Sequence, residues 1–291
     1  MKKVSVIIPF YNGVDWLKEA VKSAIDQTYK NIEIIVVNDG SKDDVDDFLA
    51  EFGNRIIYKY QENQGAAVAR NYAMNIATGD YLAFLDSDDT WLPSKLEKQI
   101  RFMEEIGAIW SHTGFYNWWS STGEKKIVDN YNDFGNIYCK SYVTLHIATP
   151  SVVVSRQTMI EHPEICFPPE YRKAEDTQYY RALAKYYPIA LVKEPLAKIR
   201  MRNDNTFKQA VARFNLKAND FLKLRKDKSV PLGAKAIMSI YYVYAKLFGK
   251  ASSPIKEKIA LCCWSFPYVL ERLYSKYIVW KNKPDKKFLK E

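Results

Sequence analysis

The sequence predicts an α/β fold with a Rossmann-like, mostly parallel sheet, flanking helices and a C-terminal α-helical region. Three observations predict it. Short β-branched apolar runs alternate with segments of helical periodicity over the first hundred residues. One run, NIEIIVVN, is almost continuously apolar, as in a parallel strand that is buried on both faces. Beyond residue 207 the patterns are helical, which indicates a separate region.

The elements alternate in the order expected of a sheet wound through right-handed βα units. Strands are predicted at 3–10, 31–38, 55–61 and 80–86. Helices are predicted at 16–27, 44–52, 66–77 and 93–103. Pro93 opens the last helix, because proline suits a first helical turn. A chain of 291 residues, 47% of them hydrophobic, can bury the core of one large domain with an appendage.

The net charge of +9 is concentrated in the C-terminal part of the chain. Residues 207–291 contain 19 Lys or Arg and 6 Asp or Glu, whereas residues 1–206 contain 24 and 28. The sequence therefore predicts a domain at 1–206 and a basic, aromatic-rich helical tail at 207–291. Four cysteines without metal-ligand spacing, and an N-terminus without the apolar core of a signal peptide, favour the cytoplasm.

Glycine-rich phosphate loops of the G-x-G-x-x-G and G-x-x-x-x-G-K-[ST] types are absent, so the strand ends have to supply the chemistry. After the first strand, Pro9, Tyr11 and Asn12 offer a rigid bend, an aromatic face for a nucleobase and an amide. After the second strand, Asp39 can accept a hydrogen bond from an imide N–H, which uracil has and cytosine lacks. Ser41 leaves room for close approach. The alternative is a plain turn with Ser41 as a helix cap.

The third helix is preceded by residues suited to a diphosphate. Asn63 and Gly65 come just before it, and Arg70 lies about one turn inside it. Backbone N–H groups at the helix start and a guanidinium one turn later can both contact phosphate. The alternative is that Arg70 is a solvated charge on the helix surface.

Two acidic segments follow. Asp86 and Asp88 lie on one side of an extended segment after the fourth strand, and hard oxygen ligands of this kind suit Mg²⁺ or Mn²⁺. Glu175 and Asp176 open a later helix. The alternatives are an Asp-rich turn before a helix in the first case, and acids favoured by the helix dipole in the second.

Five segments, in this order and spacing, resemble the family-2 inverting glycosyltransferases with the GT-A fold: PFYNG, VVNDGS, NQGAAVARN, FLDSDD and AEDTQYYRAL. The resemblance covers residues 1–206 and implies a nucleotide-sugar-binding and catalytic domain, with its acceptor part at about 107–206. It also implies that Asp39 holds the uracil of a UDP-sugar, in a base pocket lined by Pro9 and Tyr11.

The resemblance further implies the catalytic groups. Asp86 and Asp88 match the D-x-D element, with Asp88 the expected ligand of Mn²⁺ or Mg²⁺. Asp176 matches the catalytic base. The chain departs from the family at IRMRND, where Arg202 stands near the position of a frequent histidine. We expect Arg202 to contact the phosphate there.

An aromatic stretch, IWSHTGFYNWW, lies between the two acidic segments. Sugar rings present apolar C–H faces, which Trp and Tyr bind well. We therefore expect Trp110, Trp118 and Trp119, together with Glu175, near the acceptor; the alternative is that these aromatics are sheet core. The expected substrates are a UDP-sugar and a glycan or polyprenyl-linked acceptor in cell-surface polysaccharide synthesis. A catalytically silent nucleotide-sugar-binding scaffold or sensor is the alternative function.

The basic tail predicts a peripheral association with the inner face of the cell membrane. Its cations would attract anionic lipid while Trp, Tyr and Phe enter the interface. Its apolar segments are too short to span a bilayer, which needs about 20 apolar residues. A helical cap on the domain and a homodimer contact are the alternatives. Nucleic acid is not an expected partner, because no reading motif is present.

Overall fold

The computed structural model describes residues 1–128, 130–171, 174–201, 217–228, 230–248 and 265–291. The chain divides into two compact units. The first contains Met1–Asn136, His146–Met201 and Asp285–Glu291, and the second contains Ile137–Leu145 and Arg202–Pro284. The division is therefore not a single cut along the chain, because a short central segment belongs to the second unit and the C-terminal residues belong to the first.

The first unit alternates strands and helices, as the sequence predicts. Its strands are β1 (Val4–Phe10), β2 (Ile32–Asp39), β3 (Ile57–Gln61), β4 (Tyr81–Phe84), β5 (Thr90–Trp91), β6 (Trp110–Trp119), β7 (Glu124–Ile127), β8 (Val153–Ser155), β9 (Ile189–Arg200) and β10 (Leu289–Lys290). Its α-helices are α1 (Val14–Ile25), α2 (Asp46–Phe52), α3 (Ala66–Ile76), α4 (Lys95–Ile106), α6 (Gln157–Glu161) and α7 (Glu175–Tyr186), whereas α5 (Tyr138–Ser141) lies in the second unit. Single 3₁₀ turns occur at Gly53–Arg55, Thr149–Ser151 and Lys286–Phe288.

The strands of the described residues form one sheet in the order β10-β9-β6-β8-β4-β1-β2-β3, with β5 beside β9 and β7 beside β6. β1 pairs in parallel with β2 and with β4, and β3 continues the parallel part beyond β2. β8 runs antiparallel to both β4 and β6, so it joins the parallel part to the β6–β9 part. The ends of β1, β2 and β4 consequently meet at one edge, where the predicted site residues follow.

The central strand is buried on both faces. Val6 and Ile8 belong to the main apolar cluster, together with Leu17 of α1 and Ile100 of α4. Ile7 points to the opposite face and is also fully buried. Each such side chain contributes about 1.5–3 kcal/mol of burial free energy, which stabilises the strands that carry the site.

The helix predicted from Pro93 begins later than predicted. α4 starts at Lys95, after Ser94 at the N-cap position. The Pro93 carbonyl accepts a hydrogen bond from the Thr28 backbone N–H at 2.9 Å. This bond ties Pro93 to the loop after α1, so the proline lies before the helix instead of in its first turn.

β6 and β9 pair in parallel, with a register shift at Gly114. A Cβ on Gly114 would lie 2.7 Å from the Lys193 carbonyl oxygen, so the two backbones are closer than a side chain permits. Beyond the shift, Trp118 is the register partner of Arg200. The irregularity therefore determines which side chains lie together where the two strands end.

The second unit contains helices at Leu232–Phe248 and Ser265–Asn282, and residues 217–224 are also helical. A small apolar cluster forms its core, and its buried members are Tyr142, Val143, Val230, Ala234, Ile237, Met238 and Tyr241. Glu271 is 1% exposed; its carboxylate accepts a hydrogen bond from the Tyr241 hydroxyl and lies 3.8 Å from Lys217 Nζ. Among the described helices, none has the length and hydropathy to cross a bilayer.

Candidate active site

The loops after β1 and β2 are tied together. Tyr11 is 49% exposed, so its ring is available to a ligand, and Asn12 follows it. The Ser41 hydroxyl donates to Asn12 Oδ1 at 3.3 Å, and the Ser41 backbone N–H donates to Asn38 Oδ1 at 2.7 Å. Pro9, in β1, is partly buried beside these loops. The structure thus brings together Pro9, Tyr11, Asn12 and Ser41.

The N-terminus of α1 already has an anionic cap, which the sequence did not reveal. One carboxylate oxygen of Asp43 accepts hydrogen bonds from the backbone N–H groups of Gly13 at 2.6 Å and Val14 at 3.0 Å. Free N–H groups at a helix start attract anions. Because Asp43 occupies them here, this helix end serves the loop structure.

Asp39 is buried, with 3% of its surface exposed, and organises the loop before α3. Its Oδ1 accepts from Gln61 Nε2 at 2.7 Å and from the Gln64 backbone N–H at 2.8 Å, while its Oδ2 accepts from the Gly65 N–H at 2.8 Å. Asn63 Nδ2 donates to the Asp39 backbone carbonyl at 3.1 Å. The predicted residues Asp39, Asn63 and Gly65 therefore form one contact network.

Gly40 permits this arrangement. It has φ of 76°, and a Cβ there would lie 2.7 Å from the Asn63 backbone nitrogen. Any other residue would push the Asn63 loop away from Asp39. The glycine after the aspartate is therefore required by the close approach of two backbones.

Arg70 is buried, so its interpretation as a solvated helix charge is wrong. Its Nη2 lies 2.7 Å from Asp86 Oδ1 and its Nη1 lies 3.0 Å from Glu175 Oε1. The guanidinium also lies over the Phe167 ring, 5.2 Å from its centroid. Burial lowers the pKa of Arg70, but the charge of Asp86 and then that of Glu175 outweigh it and raise the pKa, so the side chain stays charged.

The segment under Arg70 is fixed by α3. Asn71 Nδ2 donates to the Phe167 carbonyl at 2.7 Å, and the Phe167 N–H donates to Asn71 Oδ1 at 3.0 Å. Phe167 in turn stacks on Tyr179 of α7 with 4.2 Å between ring centroids. Through Arg70 and Asn71, α3 therefore holds both the start of α7 and residues 86–89, here called the D-x-D turn.

The three carboxylates of the D-x-D turn differ in solvent exposure. Asp86 and Asp88 are partly exposed, whereas Asp89 is 3% exposed and accepts a hydrogen bond from the Arg200 backbone N–H at 2.6 Å. Burial, followed by the charges of Asp86 and Asp88, raises the pKa of Asp89. Asp89 is therefore an internal structural group, and Asp86 and Asp88 are the carboxylates available to a ligand.

These two carboxylates fit a metal that is completed by a substrate. Within the described residues, no three His, Cys, Asp or Glu side chains form a ready-made metal site. Mg²⁺ is typically held by one or two carboxylates together with substrate phosphates and water, so such a cage is not required. Asp86 and Asp88 supply the hard oxygen atoms that this arrangement needs.

Arg200, at the end of β9, is a site residue that the sequence analysis missed. Its Nε donates to the Asp88 backbone carbonyl at 2.8 Å, and its Nη2 lies 2.7 Å from Glu19 Oε2. Its guanidinium lies 4.3 Å from the Trp118 ring centroid. An arginine that ends a strand rich in apolar residues was the available signal. Arg202, predicted to contact phosphate, lies outside the described residues.

α7 begins at Glu175, directly after Ala174, whose backbone is left-handed with φ of 60°. Asp176 Oδ1 accepts a hydrogen bond from the Thr177 N–H at 2.6 Å, and Asp176 Oδ2 accepts one from the Thr149 hydroxyl at 3.3 Å. Burial, and then the neighbouring charge of Glu175, raise the pKa of Asp176. A carboxylate with a raised pKa is a better proton acceptor near neutral pH.

Trp110 is a correction to the predicted acceptor residues. Its side chain is fully buried, its Nε1 donates to the Tyr187 carbonyl at 3.0 Å, and its ring stacks on Tyr180 with centroids 6.1 Å apart. It is therefore sheet core. Trp118 and Trp119 are partly exposed at the end of β6, and successive side chains of a strand point to opposite faces. Trp118 lies beside Arg200.

Comparisons with known proteins agree with this geometry. Residues 5–162 match the family described as Glycosyl transferase family 2. The chain is 37% identical over 209 residues to an uncharacterized glycosyltransferase of Rickettsia bellii, covering 70% of this chain and 29% of the relative. It is 46% identical over 118 residues to the Escherichia coli UDP-Glc:alpha-D-GlcNAc-diphosphoundecaprenol beta-1,3-glucosyltransferase WfaP, covering 40% of this chain and 47% of WfaP.

Solved structures share the fold. S. aureus TarS (residues 1–349) in complex with UDP-GlcNAc has a TM-score of 0.63 at 17% identity, covering 90% of this chain and 80% of TarS. The mannosyltransferase PcManGT from Pyrobaculum calidifontis, in complex with GDP-Man and Mn²⁺, has a TM-score of 0.62 at 17% identity, covering 94% and 83%. The chain spans about a third of the length of the Rickettsia relatives. The predicted GT-A-type fold is confirmed, and the chain belongs to glycosyl transferase family 2.

Proposed function

We propose that this chain transfers a sugar, with inversion, from a UDP-sugar to a glycan or polyprenyl-linked acceptor in the synthesis of a cell-surface polysaccharide. One observation carries the proposal: Arg70 bridges Asp86 of the D-x-D turn and Glu175 beside Asp176. In such an enzyme the metal would stabilise the diphosphate that leaves the anomeric carbon, and the base would take the proton of the hydroxyl that attacks the same carbon. A single buried arginine connects the two segments that supply them.

The donor pocket is proposed at the ends of β1 and β2. Asp39 Oδ2 accepts one described hydrogen bond, from Gly65, and a carboxylate oxygen can accept a second from an imide N–H such as that of uracil. The exposed ring of Tyr11 provides a stacking face. Asn12 and Ser41, which contact each other, and Asn63, which donates to the Asp39 carbonyl, are the other proposed contacts of the donor. UDP-glucose in the name of the E. coli relative supports uridine over other nucleosides.

Mn²⁺ or Mg²⁺ is the proposed cofactor, with Asp88 as ligand and Asp86 beside it. A bound divalent ion would neutralise charge on the diphosphate as it leaves. Arg70 holds Asp86 from the buried side of the turn, so the oxygen atoms of Asp86 keep one orientation. The Mn²⁺ and GDP-Man of the Pyrobaculum calidifontis mannosyltransferase support a metal requirement.

Asp176 is the proposed base. The acceptor hydroxyl oxygen attacks the anomeric carbon from the face opposite the diphosphate, the bond from that carbon to the diphosphate breaks, and the hydroxyl proton passes to Asp176. Thr149 and the Thr177 N–H hold the carboxylate in place. Glu175 is paired with Arg70, so the two adjacent acids have different tasks. Trp118 and Trp119 are the proposed acceptor platforms.

A lipid surface is the proposed location of the enzyme, at the inner face of the cell membrane. On the 265–282 helix, apolar side chains at four-residue spacing are 49–59% exposed: Val269, Leu273 and Tyr277. Exposed cations lie on the same side: Arg272 and Lys276. The acid of this helix, Glu271, is buried. An apolar stripe flanked by cations matches an interfacial helix on anionic lipid.

Co-sedimentation of the full chain with anionic and neutral liposomes tests this location. We expect binding to anionic vesicles that weakens as salt rises, because exposed charges are screened over about 8 Å at physiological ionic strength. The double change Leu273→Ser and Tyr277→Ser should reduce it. A dimer in solution without liposome binding would instead assign the stripe to a homodimer contact.

The catalytic proposal is tested by release of the nucleoside diphosphate, UDP or GDP, from a panel of UDP-sugars and GDP-mannose, with polyprenyl diphosphate-linked sugars as acceptors. We expect release that depends on the acceptor and on Mn²⁺ or Mg²⁺, with UDP-sugars preferred. NMR of the product should show an inverted anomeric configuration. Nucleotide binding without turnover across the panel would favour a silent nucleotide-sugar-binding scaffold.

A further inference from the structure

We propose that Arg200 is a positioning residue that fixes the backbone of the D-x-D turn so that Asp88 can hold the metal of the donor. The inference rests on the proposed function in one respect, the metal-binding role of Asp88. Arg200 is 8% exposed and ends β9, the last long strand of the sheet. The family match ends at residue 162, and the comparison of IRMRND with the family assigned a role to Arg202 but none to Arg200.

Arg200 contacts two successive residues of the turn. Its backbone N–H donates to Asp89 Oδ1 at 2.6 Å, and its Nε donates to the Asp88 carbonyl at 2.8 Å. The first bond anchors the turn through a buried carboxylate. The second fixes the peptide that carries the Asp88 side chain. With the backbone fixed in this way, the Asp88 carboxylate can change position only by rotation about its side-chain bonds.

The guanidinium is held in turn by α1 and β6. Nη2 pairs with Glu19 Oε2 at 2.7 Å, and the guanidinium lies over two indole rings, 4.3 Å from the Trp118 centroid and 5.5 Å from the Trp16 centroid. Trp16 and Glu19 are three residues apart, so they lie on the same side of α1. Aromatic faces and a carboxylate fix the plane of the guanidinium, which in turn fixes the direction of its Nε–H.

The turn is consequently held from two sides by two arginines with different partners. Arg70 binds the Asp86 carboxylate and joins it to α7, whereas Arg200 binds the backbone at Asp88 and joins it to α1 and β9. Lysine cannot replace such a residue, because an ammonium lacks the planar fork that donates in two fixed directions while stacking on a ring. The geometry therefore requires arginine and not only a positive charge.

The test compares Arg200→Lys with wild type and with Lys198→Met. Lys198 provides a matched control, because its Nζ lies 5.6 Å from the same Trp118 centroid and it sits two residues earlier on the same strand. Calorimetry would measure UDP binding with and without Mn²⁺, and hydrogen exchange would follow the amides of residues 86–91 in metal-free protein. Neither measurement requires turnover.

We expect Arg200→Lys to raise the Mn²⁺ concentration for half-maximal UDP binding by at least about 10-fold. A displaced Asp88 weakens metal binding more than it weakens binding of the nucleotide itself. UDP affinity without metal should change less than about 2-fold, and exchange at residues 88–90 should accelerate by about 10-fold or more. Lys198→Met should resemble wild type in all three. Unchanged exchange and unchanged Mn²⁺ dependence in Arg200→Lys would overturn the inference.

Two further outcomes are separable. Equal weakening of UDP binding with and without metal in Arg200→Lys would show a general loss of structure and also overturn it. If wild-type UDP binding ignores metal, the metal part of the proposed function fails, while the exchange measurement still decides whether Arg200 holds the turn. Should Arg200→Lys fold poorly, Glu19→Gln removes one support of the guanidinium and is expected to shift the Mn²⁺ requirement in the same direction by about 2–5-fold.

Discussion

The part of the first unit up to residue 106 and the part from residue 107 to 201 build their site residues in different ways. In the first part, parallel strands lie side by side, and each ligand candidate follows the end of its own strand. In the second part, β6 and β9 pair across a bulge, and the site residues at their ends depend on contacts with distant segments. The proposed base-recognition residue Asp39 is thus positioned by contacts close in sequence, whereas Asp88 and Glu175 are positioned by contacts between distant segments.

Individual contacts illustrate the difference. Asp39 is bound by residues 22 to 26 positions away in the sequence. Glu175 is bound by Arg70 from 105 positions away, and Arg200 binds Asp88 from 112 positions away. We therefore expect nucleotide binding and catalysis to be separable by single substitutions, and each of the following changes tests that separation.

The largest effect is expected for Asp176→Asn. An amide cannot accept the acceptor proton, so kcat should fall by about 10²-fold or more. UDP affinity, measured by calorimetry, should change little, because Asp176 contacts Thr149 and Thr177 and belongs to the second part. Near wild-type turnover would show that another carboxylate is the base.

Asp39→Asn tests the first part. UDP affinity should fall by about 10–100-fold, as expected for hydrogen bonds to a charged group. An Asn side chain can present N–H to the N3 atom of cytosine, so the ratio of UDP to CDP affinity should fall as well. This ratio distinguishes lost base recognition from simple damage to the Gln64–Gly65 loop. A parallel loss of both affinities would contradict uracil recognition by Asp39.

Lys95→Met tests the packing between the part up to residue 106 and the part from residue 107 to 201. Lys95 is fully buried in α4, and its Nζ lies 4.1 Å from the centroid of Trp91, whose strand pairs with β9. Burying an amine without a described hydrogen-bond partner costs about 1–3 kcal/mol, so the methionine variant should be more stable by a similar amount in urea unfolding at pH 7. Lys98→Met, which removes a half-exposed ion pair with Glu194, is the control and should change stability by less than about 1 kcal/mol.

The stability difference between wild type and Lys95→Met should also depend on pH. Burial holds its pKa well below the usual value, so in the folded state it sheds its proton at lower pH than in the unfolded state. The contribution of Lys95 to the stability of the wild-type protein is complete above the pKa that this lysine has in the unfolded state. It is lost as the pH falls toward the pKa that the lysine has in the folded state. The advantage of Lys95→Met should therefore shrink between pH 7 and pH 10. An advantage independent of pH would point to packing.

The smallest effect is expected for Glu175→Gln on the pH–rate profile. Burial, followed by the charge of Glu175, raises the pKa of Asp176. Removing that charge should lower the pKa of Asp176 and move the acid limb of kcat to lower pH. Glu175→Asp keeps the charge and should leave the limb near its wild-type position. A limb that moves to higher pH would show that loss of the Arg70 contact dominates.

The sequence predicted those parts of the fold that depend on neighbouring residues. β1, β2 and β4 lie where the apolar runs predicted them, because strands buried on both faces leave an uninterrupted apolar pattern. Pro93 was placed wrongly in a helix, since its bond to Thr28 is invisible to local pattern. The family prediction, made from motifs near these strand ends, is confirmed by the match of residues 5–162 to glycosyl transferase family 2.

The sequence was a poorer guide to residues whose roles depend on distant partners. Trp110 and Trp118 occupy the same strand and look alike in sequence, yet one is core and the other lies beside Arg200. Which of them is exposed depends on α7 and β9, which the local pattern does not reveal. Arg200 was missed for the same reason, because its importance lies in contacts with α1 and the D-x-D turn.

The sheet order has a consequence for how the chain folds. β1, β2 and β4 are close in sequence, whereas β6 pairs with β9, which follows much later in the chain. Trp110 therefore cannot pair with Ile189 until that later segment has been synthesised. Pairings between distant segments carry a larger loop-closure entropy and form more slowly. During synthesis the part up to residue 106 would then be assembled while the part from residue 107 to 201 is still incomplete. If the first part holds the proposed donor pocket, we expect UDP to speed its refolding without accelerating the β6–β9 step.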